Sequence, residues 1–391
     1  MSLAGKRGQI VIKCLLPLVD LQIQRPFMLR RTHLLSVCDP AGQAKSRADW
    51  KPARLIYVVL SFAILLIGIF PGCTEPTPPA EAFIWGRKGL DDGRFIKPRA
   101  ISIDTSDQLY IVDMTSRIQV FDRDGQLLRS WKTPECLNGK PCGISVLRDG
   151  RIAVPDTHYF RVLFYTPQGE LLEDQTIGGT NGRGPSQFGF LTDVVEDSQG
   201  NLYVSEYGDF DRIQKFDPDG KFICAIGTHG SDPGMFLRPQ GMTVDEQDRL
   251  WVADACNHRI QVFDAKQEPP AFLFQFGEHG DGQGQLSYPY NISMDGQGFI
   301  YVCEFGNHRI QKFDLEGNSH GYWGGPGREP GQMHQPWGFA VDTSGFFHVI
   351  DSYNHRVQRF KGLGETPEQS PDCWNTDDDT DTVDPQSPHT T

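Results

Sequence analysis

An arginine followed by Ile or Val recurs at Arg117, Arg161, Arg212, Arg259, Arg309 and Arg356, at spacings of 44, 51, 47, 50 and 47 residues. A repeat of this period constrains the architecture before any local assignment is made. The clearest copy spans residues 236–277. It opens on a Phe-x-x-Pro start, then an apolar strand (GMTVD), a polar turn (EQDR) and a second strand (LWVAD). A loop (ACNH), a third strand (RIQVFD), another turn and a fourth strand (FLFQFG) complete it. Apolar and polar residues alternate with a period of two, as half-buried strands require. Four antiparallel strands in a unit of roughly 40–50 residues make a propeller blade. A solenoid would need capping ends, and the sequence has none. The predicted fold is therefore all-β, a six-bladed β-propeller over residues 82–361.

A ring needs its ends to meet. The last repeat stops after its third strand, at residues 357–360. The sequence Ala82-Phe83-Ile84-Trp85-Gly86 matches the fourth-strand endings at 222–227 and 272–277. This N-terminal strand is expected to complete the last blade. The loop-closure cost would be offset by sealing two sheet edges.

Asn257-His258-Arg259-Ile260-Gln261, Asn307-His308-Arg309-Ile310-Gln311 and Asn354-His355-Arg356-Val357-Gln358 give the repeats a common wording. In this they resemble the NHL-repeat family of six-bladed propellers, over residues 82–361. Blade two departs most, since Thr157-His158-Tyr159-Phe160-Arg161 lacks the Asn-His pair and its first strand has no Phe-x-x-Pro start.

Residues 55–70 (LIYVVLSFAILLIGIF) carry no charge, Lys51 and Arg54 lie just before them, and no Lys or Arg follows until Arg87. That asymmetry predicts a basic cytoplasmic side and an exported propeller. Sixteen residues are long for a signal core and short for a span of roughly 20. Phe70-Pro71-Gly72-Cys73 resembles a bacterial lipoprotein site, with Cys73 the lipidation candidate, although Pro71 departs from that pattern. The expected layout is a basic segment at 1–54, disordered or not translated, with Met28 a candidate for a later start. A transmembrane or lipoprotein signal segment follows at 55–72, a linker at 73–81, the propeller at 82–361 and an acidic disordered tail at 362–391. Both readings of the apolar segment place a membrane-anchored propeller on the extracytoplasmic side.

The net charge of −13 is uneven: +7 over 1–54, −8 over 362–391, and −12 over the rest. A propeller this acidic repels phosphate backbones, so nucleic acid is not an expected partner. The RNA binding that resemblance to NHL domains of tripartite-motif proteins would imply is disfavoured on the same ground. Nine cysteines in 391 residues do not make a disulfide scaffold. Cys136 and Cys142 are the disulfide candidate, with two free thiols as the alternative. Cys224, Cys256 and Cys303 read as small buried hydrophobes.

A residue present in every blade is architectural, because a ring needs it six times and a site needs it once. The repeated arginines belong here, as do Asp113, Asp156, Glu206, Asp254, Glu304 and Asp351 at the ends of second strands. They are expected to pair and pin the loop between strands two and three. His258, His308 and His355 recur at one position and cannot converge on one ion. A site should sit where blades differ. After the Phe-x-x-Pro proline stand Arg99, Gln240, Tyr290 and Trp337, and the loops after strand two add Tyr207, Phe305 and Tyr353, with His158 and Tyr159 from the odd blade. These residues make an axial-face recognition surface for a protein, peptide or carbohydrate, or else pack the funnel.

Two enzyme readings stand as alternatives. The propeller resembles peptidyl-hydroxyglycine amidating lyases, and that resemblance implies zinc held by histidines directly after the proline. Here that position holds Arg99, Gln240, Tyr290 and Trp337, so a trio of ligands cannot be assembled. Lactonase-like propellers imply calcium held by axial acids and asparagines, for which Asn291 and Asp193 are the hints. The sequence thus predicts a binding or scaffold module, a monomer without cofactor or metal, tethered through residues 55–70 or an acylated Cys73.

Overall fold

A computed structural model describes residues 83–208 and 210–361. The segments 1–54, 55–72 and 73–81, Ala82, the Cys73 site and the tail at 362–391 lie outside these residues. Among the described residues no helix is long and apolar enough to cross a membrane.

The chain is an all-β propeller of six four-stranded antiparallel sheets. Blade four shows the pattern: Pro239–Val244 pairs with Arg249–Asp254, that with Arg259–Asp264, and that with Ala271–Phe276. Blade two is the slightest, with first and fourth strands of two residues each, Ser145–Val146 and Ile177–Gly178. In the sixth sheet Gly338–Val341, Phe346–Asp351 and Arg356–Lys361 are joined by Phe83–Trp85. Phe83 lies opposite Arg359, Ile84 opposite Gln358 and Trp85 opposite Val357.

The apolar side chains gather between blades and leave the axis open. Each of six buried clusters draws on two neighbouring sheets. One joins Ile111 and Phe121 of blade one to Ile350 and Val357 of blade six, with Trp85 among them. Another joins Tyr203 and Ile213 of blade three to Val252 and Phe263 of blade four. The opening residue of the repeat explains how the loops bind to this packing. Phe95, Phe188, Phe236, Leu286 and Met333 are fully buried at the point where each inter-blade loop returns. Gly227, with φ of +84°, shows why a glycine precedes that return: a Cβ there would sit 2.3 Å from the Phe236 ring.

Every letter of the Asn-His-Arg-Ile/Val-Gln motif has a mechanical task. Arg259 donates from Nε to Asp254 (2.9 Å) and from its terminal nitrogens to the carbonyls of Ser231, Asp232 and Met235 (2.7, 3.0 and 2.9 Å). Asp254 also accepts from the Leu237 amide (2.7 Å). Asn257 bridges Asp254 and the Gly230 carbonyl (2.8 and 2.9 Å). Gln261 donates to the Met235 carbonyl (2.7 Å) and accepts from the Gly234 amide (2.8 Å). Ile260 is buried in the apolar cluster it shares with blade five.

The arginine–acid pair recurs in all six blades, at nitrogen–oxygen distances of 2.6–3.6 Å. Pairing is as expected, but what it pins differs in part. In blade four the arginine reaches the inter-blade loop entering its own blade, because that loop exposes carbonyls with no strand partner. The histidines act across blades. Nδ1 of His258, His308 and His355 accepts the amide hydrogen of Tyr288, Gln335 and Lys97 in the following blade, at 3.2, 2.8 and 2.9 Å. Accepting there requires a neutral ring, and burial favours that form by lowering all three pKa values, that of His308 to about 4. Blade three substitutes Asp211, whose carboxylate accepts from the Arg238 amide (3.0 Å).

Two stability predictions follow from this packing. Arg309→Met leaves the fully buried Glu304 without its cation and is expected to cost about 3–5 kcal/mol in denaturant unfolding. Trp85→Ala empties the space against Phe95 and Phe121, with ring centroids 5.8 and 4.6 Å away, and is expected to cost a similar ~3–5 kcal/mol. A loss below about 1 kcal/mol in either variant would contradict these assignments.

Candidate functional site

A narrow well of about 30 Å³ opens on the axis, and every blade contributes to its wall. Arg99, Cys142, Thr192, Gln240, Tyr290 and Trp337 stand around it, one from each blade. Backbone register explains the projection. The first strand slips against the second between Pro98 and Ala100, Leu191 and Asp193, Pro239 and Met242, and Pro289 and Asn291. Arg99, Thr192, Gln240 and Tyr290 fall inside these bulges, unpaired with any residue of the second strand. A wider cavity of about 430 Å³ continues along the axis between the innermost strands, and Asp193 and Asn291 line both spaces.

Asp193 is held by the Met242 and Val194 amides (2.8 and 2.9 Å) and by the Ser145 hydroxyl (3.5 Å), which ties blades two, three and four together on the inner wall. Burial outweighs these bonds and raises its pKa to about 7. Thr192 is committed to its neighbours, with its hydroxyl 2.6 Å from that of Ser205 and donating to the Pro239 carbonyl (2.9 Å).

Above the well lies an aromatic cluster. Tyr290 stacks on Phe305 (centroids 4.5 Å apart) and meets Trp337 edge-on at 5.0 Å. Phe305 lies 5.5 Å from Trp337 and 6.3 Å from Tyr353. Arg99 sits 5.4 Å from the Trp337 ring and donates to Cys142 Sγ at 3.4 Å. Arg238 lies 4.8 Å from the Tyr207 ring centre and 5.8 Å from that of Tyr290, and its side chain also hydrogen-bonds that of Tyr207. Phe190 links Tyr207 (5.4 Å) to His158 (5.1 Å). Burial raises the Tyr290 phenol to about 12, which keeps it protonated.

Arg99, Gln240, Tyr290 and Trp337 therefore line the well, while Tyr207, Phe305, Tyr353 and His158 belong to the surrounding cluster. Tyr159 does not join them: its hydroxyl accepts the amide hydrogens of Leu137 and Asn138 (3.0 and 3.1 Å), and Arg161 lies over its ring at 5.2 Å. It anchors the loop ahead of blade two instead. Cys136 and Cys142 are free thiols, not a bridge, because Cys142 turns to Arg99 on the axis. Of the three cysteines read as buried, only Cys303 is fully so, and Cys224 and Cys256 are half-buried.

The sequence pattern missed Cys142 and Thr192 as ring members. Cys142 follows a proline, Pro141, but blade two lacks the Phe anchor, and blade three has Leu191 in place of the proline. Counting back from the second-strand acid in each blade would have found both. Arg238 was also overlooked, because it precedes the proline.

These repeats match a known family. The family model for the NHL repeat matches residues 236–263, 286–313 and 333–360, in blades four, five and six. The chain carries NHL repeats. Mouse NHL repeat-containing protein 3 is 30% identical over 178 residues, which are 42% of this chain and 51% of that protein. Rat peptidylglycine alpha-amidating monooxygenase is 30% identical over 191 residues, 46% of this chain and 18% of that protein. The chain thus spans about half the length of the first relative and a smaller part of the second. Among solved structures, virginiamycin B lyase from Staphylococcus aureus superposes with a TM-score of 0.51 at 11% identity, over 72% of this chain and 99% of that one. A likeness at that identity speaks for the fold alone.

The zinc that resemblance to amidating lyases implies does not fit the donors present. Cys142 is the one thiol, imidazole or carboxylate among the six ring residues, and among the described residues no three His, Cys, Asp or Glu side chains gather as a metal-ligating group. Metal analysis of the dialysed full chain is expected to find less than a tenth of an equivalent of zinc or calcium. One equivalent, removed only by chelation, would contradict this reading.

Proposed function

We propose that this propeller is a ligand-binding or scaffold module whose recognition surface is the aromatic mouth of the axial well. The observation that supports it is the meeting of Tyr290, Phe305, Trp337 and Tyr353 at one end of the axis, beside two arginines, at positions where the blades differ. Clustered aromatic and arginine side chains on a concave surface suit the capture of a peptide, a protein segment or a carbohydrate. The pairing of Phe83–Trp85 with Arg356–Lys361 serves this role by holding blades six and one around the well. The apolar run at 55–70, with its upstream basic residues, supports a tether that places the module outside a membrane. Acylation of Cys73 is a second route to the same arrangement, and the mass of the mature N-terminus distinguishes the two.

The reading is tested by probing peptide and glycan arrays with the purified full chain, followed by solution titration of the strongest binder. Trp337→Ala is expected to weaken that binding at least tenfold, about 1.4 kcal/mol, while thermal unfolding stays cooperative. Tyr290→Ala should do the same with a larger stability loss, because Tyr290 is nearly buried. Binding unchanged in both variants moves the site elsewhere on the ring.

A further inference from the structure

Cations crowd the mouth of the well although the protein as a whole is acidic. Arg99 is the axial residue of blade one. Lys97, Lys140 and Arg238 each stand immediately before the Pro that opens an inner strand or its equivalent. Lys97 Nζ lies 3.8 Å from the centre of the Tyr353 ring, which belongs to the same aromatic cluster. Lys140 donates to the Cys136 carbonyl. Tyr207 is close enough to feel the charge of Arg99 and Arg238 together.

What distinguishes these four from the repeated arginines is their partners. Each strand-three arginine is neutralised by the acid of its own blade. Among the described residues, none of Lys97, Arg99, Lys140 and Arg238 forms a salt bridge. Asp211 is near, but its carboxylate takes the Arg238 amide hydrogen and the His229 ring. Asp193 lines the floor of the same well, held by two amides and a hydroxyl.

A second observation is independent of charge. Gln240 is 4% exposed and lines the well, yet its buried Nε2 has no hydrogen-bond partner. The Nε atoms of Arg99 and Arg238 are likewise buried and unpartnered. A buried donor left unmade is costly, and the two on the wall of the well, from Gln240 and Arg99, call for an acceptor, with Arg238 beside them over the Tyr290 ring. Guanidinium groups laid over aromatic faces keep their N–H edges directed at a planar oxyanion, and a carboxylate accepts such edges bidentately.

We propose that the mouth binds a carboxylate carried on an aromatic or apolar body, with the carboxylate at Arg99, Arg238 and the Gln240 amide and the body against Tyr290 and Trp337. This rests on the ligand-binding reading above and specifies the chemistry of its ligand. The surrounding negative charge disfavours polyanions, so a single carboxylate suits the site better than a nucleic-acid backbone.

The probe is N-acetyl-L-phenylalanine, compared with N-acetyl-L-phenylalaninamide, titrated into the full chain by calorimetry and ligand-observed NMR at low salt. The acid is expected to bind at least tenfold tighter than the amide. Arg99→Gln and Arg238→Gln should each remove most of that preference while weakening the amide less than threefold. Trp337→Ala should weaken both probes. Arg148→Gln, at the other end of the axis, should change neither. Equal binding of acid and amide, or an acid preference that survives both arginine variants, overturns the carboxylate assignment and leaves the binding module standing. No detectable binding of the acid at 10 mM also overturns the assignment, whereas the array result for Trp337→Ala decides the broader reading independently.

Discussion

A carboxylate at the end of each second strand has been taken out of water, and the ring depends on what is arranged around it. Asp254 and Glu304 are fully buried, and burial raises their pKa values despite an adjacent arginine. Such a group is tolerable only when surrounded by donors. In blade four the donors come from Arg259, Asn257, Gln261 and the Leu237 amide, and they bind the inter-blade loop to the blade. The same requirement, met blade after blade, gives one face of the propeller a fixed set of loops. A buried ion pair adds little net stability, but it admits very few alternative arrangements, and a rigid rim needs that property.

Order on the rim creates the contrast between the repeated and the singular arginines. Neutralised arginines serve the loops. Among the described residues Arg99 and Arg238 form no salt bridge and rest on aromatic rings, and Arg99 lines the axial well. The histidine contacts work alongside this, because each joins one blade to the backbone of the next.

The blade count, the strand order and the recurring ion pairs were all legible in the sequence, because each is a repeated pattern and repetition multiplies a weak local signal. The axial positions of Arg99, Gln240, Tyr290 and Trp337 were legible for the same reason, as each follows a proline at a fixed offset. Blade two lacks the Phe anchor and blade three the proline, so Cys142 and Thr192 went unread. Tyr159 is engaged elsewhere, because the Leu137 and Asn138 amides hold its hydroxyl, and sequence does not show which loop a side chain beside it will anchor. Arg238 could not be assigned from sequence, since its role arises from rings in blades three and five. The cysteine pair misled because short separation allows a bridge without favouring it over the thiol contact that Cys142 makes with Arg99.

The bulges that open the inner strands have an effect reaching past this one molecule. A residue held in a bulge has no partner in the backbone register of the second strand, so its identity is less tightly bound to the hydrogen-bond ladder beneath it. Within a single chain, that spot accommodates a guanidinium, a hydroxyl, an amide and a phenol on the same backbone. The hub of such a wheel is consequently free to be rewritten for new chemistry, residue by residue, while the spokes continue to carry the load.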